Sequence, residues 1–250
     1  MAHLEIKKDI FWVGAVDWNI RTFHGHTYST NRGTTYNAYL ILDEKIALVD
    51  AVYGPFAQEM IARIKEIIAP ERIDYIVVNH VETDHSGALP DILKLCPKAK
   101  LLGTAKCKEG LEKHYYGKWD FQIVKTGDKL ELGKRTLTFI EAPMIHWPDS
   151  MFTYCPEEKL LLPNDAFGQH YATSERFDDE VETAVVMDEA IKYYRLALDA
   201  YSDVAVTQGL DSRIERLKMQ TGKKDENIVS PPPPVPPTPK NMTPEIPGQP

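Results

Sequence analysis

Tyr75-Ile-Val-Val-Asn-His-Val-Glu-Thr-Asp-His85 joins a short β-branched run directly to four side chains that can ligate metal ions. The run at its start predicts a buried strand. In extended geometry His80, Glu82 and Asp84 project to one side, and a turn after Asp84 brings His85 toward the same space. Four candidate ligands within six residues are enough for two adjacent ions. The stretch therefore predicts a metal-binding loop at the end of a strand.

Strand-like and helix-like segments alternate on both sides of this loop. Upstream, residues 39–42 and 45–49 predict a hairpin, and apolar residues recur at helical spacing over 56–68. Downstream, Ser86 is predicted to cap a helix that runs through Leu95. A second helix is predicted over 105–114, and short strands over 101–102, 121–124, 130–132, 137–140, 151–154 and 159–162. This pattern predicts a layered α/β or α+β domain with more than one sheet.

Three further polar residues follow predicted strands, as His80 does. His146 comes after the strand that ends near Ile140, and Asp165 comes after the last strand of the predicted hairpin. Asp50 ends the run Ala47-Leu-Val-Asp and is interpreted as a hydrogen-bond partner of the ligand loop rather than as a ligand. The shared position at strand ends makes His146 and Asp165 candidate ligands.

Composition excludes several classes of protein. The formal net charge of −8 argues against a general binder of nucleic acid or of anionic membranes. The apolar runs are far shorter than the ~20 residues of a membrane span, and the N-terminus lacks the apolar stretch of a secretory signal. Three scattered cysteines fit reduced thiols better than a disulfide framework. We therefore predict a cytoplasmic protein.

The last part of the chain has a different composition from the rest. Ten of the 18 prolines lie in residues 231–250, a segment with little to bury. The sequence predicts one domain over residues 1–229 and a disordered, Pro-rich tail over residues 230–250.

The motifs as a set resemble one known family. His80-x-Glu-x-Asp-His, His146-Trp-Pro-Asp-Ser-Met-Phe-Thr-Tyr and Pro-Asn-Asp165-Ala-Phe-Gly are similar to the metallo-β-lactamase-type domain of the flavodiiron proteins, also called A-type flavoproteins or rubredoxin:oxygen oxidoreductases. The segments Trp18-Asn-Ile-Arg-Thr-Phe-His-Gly and Arg32-Gly-Thr-Thr-Tyr-Asn-Ala-Tyr-Leu extend the resemblance, which covers about residues 5 to 195.

The resemblance implies a fold, a metal centre and an activity. The fold is an αββα sandwich of two mixed β-sheets flanked by helices. By position, His80, Glu82 and His146 hold one iron, Asp84 and His85 belong to a second, and Asp165 bridges the two. Family members reduce dioxygen to water, nitric oxide to nitrous oxide, or both. No catalytic residue beyond the metal ligands is predicted. Related hydrolases have histidine at the position of Glu82, and a carboxylate there favours iron or manganese over zinc.

The family also implies an electron supply. In family members the electrons come from FMN, which is bound by a flavodoxin-like domain that follows the metal domain. In the homodimer this FMN lies against the iron site of the partner subunit. These 250 residues contain no phosphate-binding loop for FMN, so we expect a rubredoxin or flavoprotein donor to act in trans. The family usually supplies one more histidine some sixty residues after Asp165, and no histidine follows His170 here. Glu226 lies near that spacing but is not favoured as a replacement.

Several residues near the ligands receive weaker interpretations. His24 and Tyr194 are predicted to lie beside the metal site without binding metal, and His170 is placed near the same pocket. Trp147 is interpreted as a packing wall beside His146. Two alternatives to the iron enzyme stay open: a zinc-dependent hydrolase of the wider metallo-β-lactamase superfamily, and a truncated relative with an incomplete metal site.

Overall fold

The computed structural model describes residues 4–23 and 28–188. Its strands are β1 Leu4–Lys7, β2 Ile10–Trp12, β3 Ala15–Asp17, β4 Thr22–Phe23, β5 Tyr28–Ser29, β6 Thr34–Tyr36, β7 Tyr39–Ile41, β8 Ala47–Val49, β9 Tyr75–Val77, β10 Lys100–Gly103, β11 Phe121–Ile123, β12 Lys129–Glu131, β13 Thr136–Glu141, β14 Met151–Cys155 and β15 Leu160–Leu162. Its α-helices are α1 Ala57–Ile67, α2 Thr83–Ser86, α3 Leu89–Leu95 and α4 Ala105–Tyr115. Single 3-10 turns span Gly54–Phe56, Pro70–Arg72, Asn164–Phe167 and Asp178–Glu180.

Two sheets account for most of these strands. The larger has seven strands in the order β1-β2-β7-β8-β9-β10-β11, antiparallel from β1 to β8 and parallel from β8 to β11. Each pair of neighbouring parallel strands is connected through helix: α1 precedes β9, α2 and α3 precede β10, and α4 precedes β11. The smaller sheet, β12-β13-β14-β15, is antiparallel throughout. A parallel pair needs such a helical crossover, whereas antiparallel neighbours need only a turn.

Apolar side chains on the two faces of the large sheet enter different cores. Leu48 and Ile76 face the layer formed by α1, α3 and α4, together with Met60, Leu89 and Leu111. Val49 and Val77 face the smaller sheet and pack with residues such as Phe139 and Leu162. Because both faces are covered, the central strands are continuous apolar runs rather than alternating ones. One helix layer and two stacked sheets are thus observed among the described residues, in agreement with the predicted α/β sandwich. The smaller sheet is antiparallel rather than mixed, because each of its strands is joined to the next by a turn or loop without a helical crossover.

Most predicted elements are confirmed, with small shifts at their ends. The hairpin of β7 and β8 and the hairpin of β14 and β15 both form as predicted. The helix predicted from apolar spacing over 56–68 is α1, which begins at Ala57 because Pro55 lies in the preceding 3-10 turn. The predicted cap at Ser86 is wrong, since Ser86 closes the short helix α2 and α3 begins only at Leu89.

The topology brings strand ends from both sheets to one edge. Val49 and Val77 are aligned partners at the carboxyl ends of β8 and β9, so Asp50 and the ligand loop emerge side by side. In the smaller sheet, β13 ends where β14 begins, and β15 ends beside the same part of β14. His146 and Asp165 are therefore delivered to this edge by chain segments that are distant in sequence.

Gly87, directly after α2, packs too closely against another segment to carry a side chain. A Cβ on Gly87 would lie 2.4 Å from the carbonyl oxygen of Thr83 and 2.5 Å from the backbone nitrogen of Gly54. We expect Gly87→Ala to lower the free energy of unfolding by about 1–3 kcal/mol, because both contacts are with backbone that must shift. Urea denaturation of the two proteins measures this difference.

Gly54 provides a matched control across the same contact. A Cβ on Gly54 meets nothing closer than 3.5 Å, from the carbonyl oxygen of Gly87. Gly54→Ala should therefore leave the urea midpoint nearly unchanged. Equal destabilisation by the two variants would contradict the steric explanation.

Several predictions fall outside the described residues. These are the Pro-rich tail over 230–250, the remainder of the predicted domain beyond residue 188, and the neighbouring residues His24 and Tyr194. Within the described ranges, none of the helices has the length and hydropathy that crossing a bilayer requires.

Candidate metal centre

The ligand loop is shaped by hydrogen bonds from its own backbone. Glu82 keeps extended backbone angles, φ −56° and ψ 149°, and the chain turns helical at Thr83. The carbonyl oxygen of Glu82 accepts bonds from the backbone N–H groups of His85 and Ser86, and the Ser86 hydroxyl donates to the carbonyl oxygen of Val81 at 2.7 Å. The predicted period-two spacing thus ends at Glu82, and Asp84 reaches the site from the first turn of α2 rather than from extended chain.

All six predicted ligand side chains meet at one place. Potential ligand atoms of His80, Glu82, His146 and Asp165 lie within 4.8 Å of one another, and so do those of Asp84, His85 and Asp165. The two groups share only Asp165. The arrangement is that of two neighbouring cation positions joined by one carboxylate. Metal binding by these residues stays a prediction.

The distances around Asp165 show how the two groups join. Its Oδ1 lies 2.8 Å from Nε2 of His85, and its Oδ2 lies 3.8 Å from Nε2 of His80 and 3.9 Å from Nε2 of His146. Oε2 of Glu82 lies 3.1 Å from Nε2 of His80 and 3.5 Å from Nε2 of His146. Each carboxylate therefore faces the Nε2 atoms of imidazoles from other parts of the loop or from another strand end.

The donor set suits two divalent cations. Three carboxylates and three imidazoles leave a formal charge of −3 when the rings are neutral, which two divalent ions offset. Oδ1 of Asp84 is buried without a hydrogen-bond partner among the described residues. Burying such an oxygen unsatisfied costs about 1–3 kcal/mol or more, so its position is best explained by a cation. Mixed carboxylate and imidazole donors are compatible with iron.

Burial and mutual charge set the protonation of these groups. Burial alone would raise the pKa of Asp165, but the charge and hydrogen bond of His85 lower it below its ordinary value. Burial would lower the pKa of His85, yet Asp165 and Asp84 raise it well above the usual range. Burial raises the pKa of Asp84. Without metal, protons on His80 and His85 take the place of the cations as partners of the carboxylates.

Asp50 supports the ligand loop as predicted. Its carboxylate accepts hydrogen bonds from the backbone N–H of Asn79 at 2.7 Å and from the Asn79 side-chain amide at 3.0 Å. The amide oxygen of Asn79 accepts a bond from the Thr153 hydroxyl at 2.7 Å, which links the loop to β14. The interpretation of Asp50 as a hydrogen-bond partner is confirmed, and His80 follows immediately from this fixed point.

Asp149 is the residue beside the ligands to which the sequence reasoning assigned no role. It is 3% exposed, and both its carboxylate oxygens lie 3.2 Å from Nδ1 of His80. The backbone N–H of Val81 donates to Oδ2 at 2.7 Å. The only signal in the sequence is its position three residues after His146, within the motif His146-Trp-Pro-Asp.

A cavity of about 280 Å³ opens above the ligands. Five of the predicted ligands line one side, with His80 the exception, and residues from β6 and from the segment after Asp165 line the other. His170 is among these, as predicted: its Nδ1 lies 3.0 Å from the Thr34 hydroxyl, and its ring lies 4.7 Å from that of Phe23. The candidate centre is therefore accessible to a small molecule.

Trp147 fills the space beside the ligands. Its ring lies edge to face with that of His80, with 5.2 Å between the ring centroids. It also packs against the apolar core between the large sheet and the helix layer. The interpretation of Trp147 as a packing wall agrees with these contacts. His146, by contrast, has a side chain that is 48% exposed, the most accessible of the six.

Protons and metal ions should compete at this centre. Burial would lower the pKa of His80, but its hydrogen bonds to Asp149 and Glu82 raise it to about 9 in the metal-free protein. The stability gained from protonated His80 is then full below pH 6.5 and is lost as the pH rises through about 9. Metal affinity changes in the opposite direction, since binding must release that proton. We expect apparent Zn²⁺ affinity to rise between pH 7 and 9, by up to about tenfold per pH unit per proton released.

Calorimetric titration in buffers of different ionisation enthalpy counts the released protons. His114→Gln, at an exposed position on α4, should leave that count unchanged, whereas His80→Gln should lower it. An affinity that does not vary with pH over this range would contradict the competition.

Comparison with known proteins identifies the group to which the chain belongs. A family model described as ODP family beta lactamase matches residues 34–207, well over half of the 250 residues. The crystal structure of the flavodiiron protein from Giardia intestinalis aligns with a TM-score of 0.74 and 37% identity, covering 88% of this chain and 60% of that one. The chain belongs to the flavodiiron protein family. The predicted family and fold class are confirmed.

Two further relatives describe what such proteins do. A nitric oxide reductase of Moorella thermoacetica is 60% identical over 215 residues, which are 86% of this chain and 53% of that protein. The structure of a rubredoxin oxygen:oxidoreductase from Desulfovibrio gigas has 44% identity and a TM-score of 0.74, covering 77% of this chain and 48% of that one. The chain spans about half the length of these two relatives.

Proposed function

We propose that this flavodiiron domain holds two iron ions and reduces dioxygen to water, nitric oxide to nitrous oxide, or both. The observation that carries the proposal is the pair of ligand groups that share Asp165 beside an open cavity. Relatives described as a nitric oxide reductase and as a rubredoxin oxygen:oxidoreductase support it.

The proposed assignment follows the two groups. His80, Glu82 and His146 hold one iron, Asp84 and His85 hold the other, and Asp165 bridges them, which agrees with the clustering of the side chains. Within the described residues, Asp84, His85 and Asp165 form the group around the second position. Glu82 is what separates this set from one built for zinc, since a carboxylate makes the position harder and more anionic.

The iron pair, when bound, supplies electrons and an open coordination position to the gas. The chain contributes the rest. Its three carboxylates offset the charge of the cations. Glu82, Asp84 and His85 are buried, which limits the access of water to the ligand atoms from the protein interior. The cavity holds a diatomic molecule easily at about 280 Å³. Thr34 and His170, hydrogen-bonded to each other at 3.0 Å, form a polar part of the cavity lining.

The electron supply is proposed from the family. We infer that a rubredoxin or an FMN-carrying flavoprotein reduces the iron pair in trans. We also propose that the protein works in the cytoplasm and pairs into a homodimer. The proposed domain covers residues 1–229, followed by a Pro-rich tail over 230–250.

Metal analysis combined with gas consumption tests the proposal. The full chain, loaded anaerobically with Fe²⁺, should bind about two irons and consume dioxygen or nitric oxide when a chemical reductant is supplied. A chain that binds only zinc and hydrolyses a thioester or lactam would overturn the proposal in favour of the hydrolase. A chain that binds at most one iron and consumes neither gas would indicate a relative with an incomplete site.

A further inference from the structure

Asp149 connects three parts of the fold through separate hydrogen bonds. Its carboxylate faces Nδ1 of His80 and accepts the backbone N–H of Val81. Its carbonyl oxygen accepts a bond from the Thr104 hydroxyl at 3.0 Å. Thr104 in turn caps α4, where its hydroxyl oxygen accepts the backbone N–H of Cys107 at 3.0 Å. These hydrogen bonds therefore fix the positions of α4, the His146 loop and the His80 loop relative to one another.

The contact with His80 determines which ring nitrogen can bind metal. A carboxylate only accepts hydrogen bonds, so Nδ1 of His80 must carry a proton to face it. In the metal-free site Nε2 also faces carboxylates, with Oε2 of Glu82 at 3.1 Å and Oδ2 of Asp165 at 3.8 Å, so the proton on Nε2 is the one that a cation at the first position replaces. The ring is then neutral, with its remaining proton on Nδ1 and its lone pair on Nε2. Asp149 and His80 are 3% and 0% exposed, so water does not compete for this bond.

We propose that Asp149 is the positioning residue of the metal centre: it accepts the Nδ1–H of His80 and so presents Nε2 to the first metal position. The proposal rests on the metal ligands of the proposed function and concerns binding rather than turnover. Partners of this kind orient metal-binding histidines, and their loss typically costs about 10–100-fold in metal affinity.

Zn²⁺ titration of the full chain tests the proposal, because zinc needs neither reductant nor gas. Asp149→Asn and Asp149→Ala should weaken binding of the ion held by His80, Glu82 and His146 by about 10–100-fold. The control is Asp128→Asn, which removes an exposed carboxylate that also accepts a backbone N–H and should leave both affinities unchanged. Unchanged affinity in both Asp149 variants would overturn the proposal.

Two measurements keep the test decisive if those variants fold poorly. In zinc-loaded wild-type protein labelled with ¹⁵N-histidine, long-range ¹H–¹⁵N correlation should show His80 protonated at Nδ1 and ligated through Nε2. The opposite tautomer would overturn the proposal. Thr104→Val leaves the Asp149 carboxylate in place and removes both the hydrogen bond to the Asp149 carbonyl oxygen and the cap of α4, so zinc affinity should fall only a few-fold.

The outcomes for the two proposals differ. A wild-type chain that binds zinc with the predicted tautomer but consumes no gas with iron would contradict the proposed function and support the role of Asp149. A wild-type chain that binds no zinc would contradict both.

Discussion

Asp165→Ala is expected to weaken both metal positions at once and to abolish gas reduction. Asp165 is the one residue common to the two ligand groups, with one oxygen beside His85 and the other facing His80 and His146. Its loss removes a donor from each position at once. Since bound metal supplies several kcal/mol of stabilisation to charge in a reaction, activity should fall by at least about 10³-fold. Iron per chain should fall from about two to below one.

Asp84→Ala is the matched comparison, because Asp84 belongs to one group only. This variant should retain about one iron, held by His80, Glu82, His146 and Asp165. Iron analysis and Mössbauer spectroscopy of both proteins separate the two results. If Asp165→Ala kept both irons, or if it behaved like Asp84→Ala, the carboxylate would not be a bridge.

Much of this site follows from the sequence because its ligands are local or lie at strand ends. His80, Glu82, Asp84 and His85 occupy six consecutive positions, so any fold that makes the loop brings them together. Asp165 and His146 are distant from this loop in sequence, and the sequence predicts that they join it because each follows a strand. That argument holds here because the carboxyl ends of the parallel strands and the ends of β13 and β15 reach the same edge.

The predictions made from the sequence fail where a polar side chain has more than one possible hydrogen-bond partner. Ser86 has the residue type of a helix cap, but its hydroxyl donates to the Val81 carbonyl and pairs with the Tyr115 hydroxyl, so the following helix begins three residues later. The role of Asp149 cannot be predicted from the sequence, because it depends on a contact with a residue 69 positions away. The spacing of residues along the chain does not show where such a side chain points, because its direction depends on how the two sheets stack.

Glu82→His is expected to change the metal preference of the first position. The side chain of Glu82 is 8% exposed and lies within 3.5 Å of the Nε2 atoms of His80 and His146. Replacing its carboxylate by imidazole gives that position three histidines and one carboxylate, a softer and less anionic set that suits zinc better than iron. We expect the ratio of zinc to iron affinity to rise at least about tenfold, equivalent to about 1.4 kcal/mol, and gas consumption to be lost. Competitive metal binding followed by elemental analysis measures the ratio.

Glu82→Gln distinguishes the imidazole from the mere loss of charge. It keeps the length of the side chain and removes the negative charge, so it should weaken both metals together and leave their ratio close to that of the wild type. A ratio raised equally by glutamine and by histidine would show that charge alone sets the preference. If histidine left iron bound and gas consumption intact, Glu82 would not be the residue that separates this centre from those of the hydrolases. Ligands that both kinds of site share cannot produce a difference in metal preference, so the position of Glu82, where related hydrolases have histidine, decides between the iron enzyme and the zinc alternative.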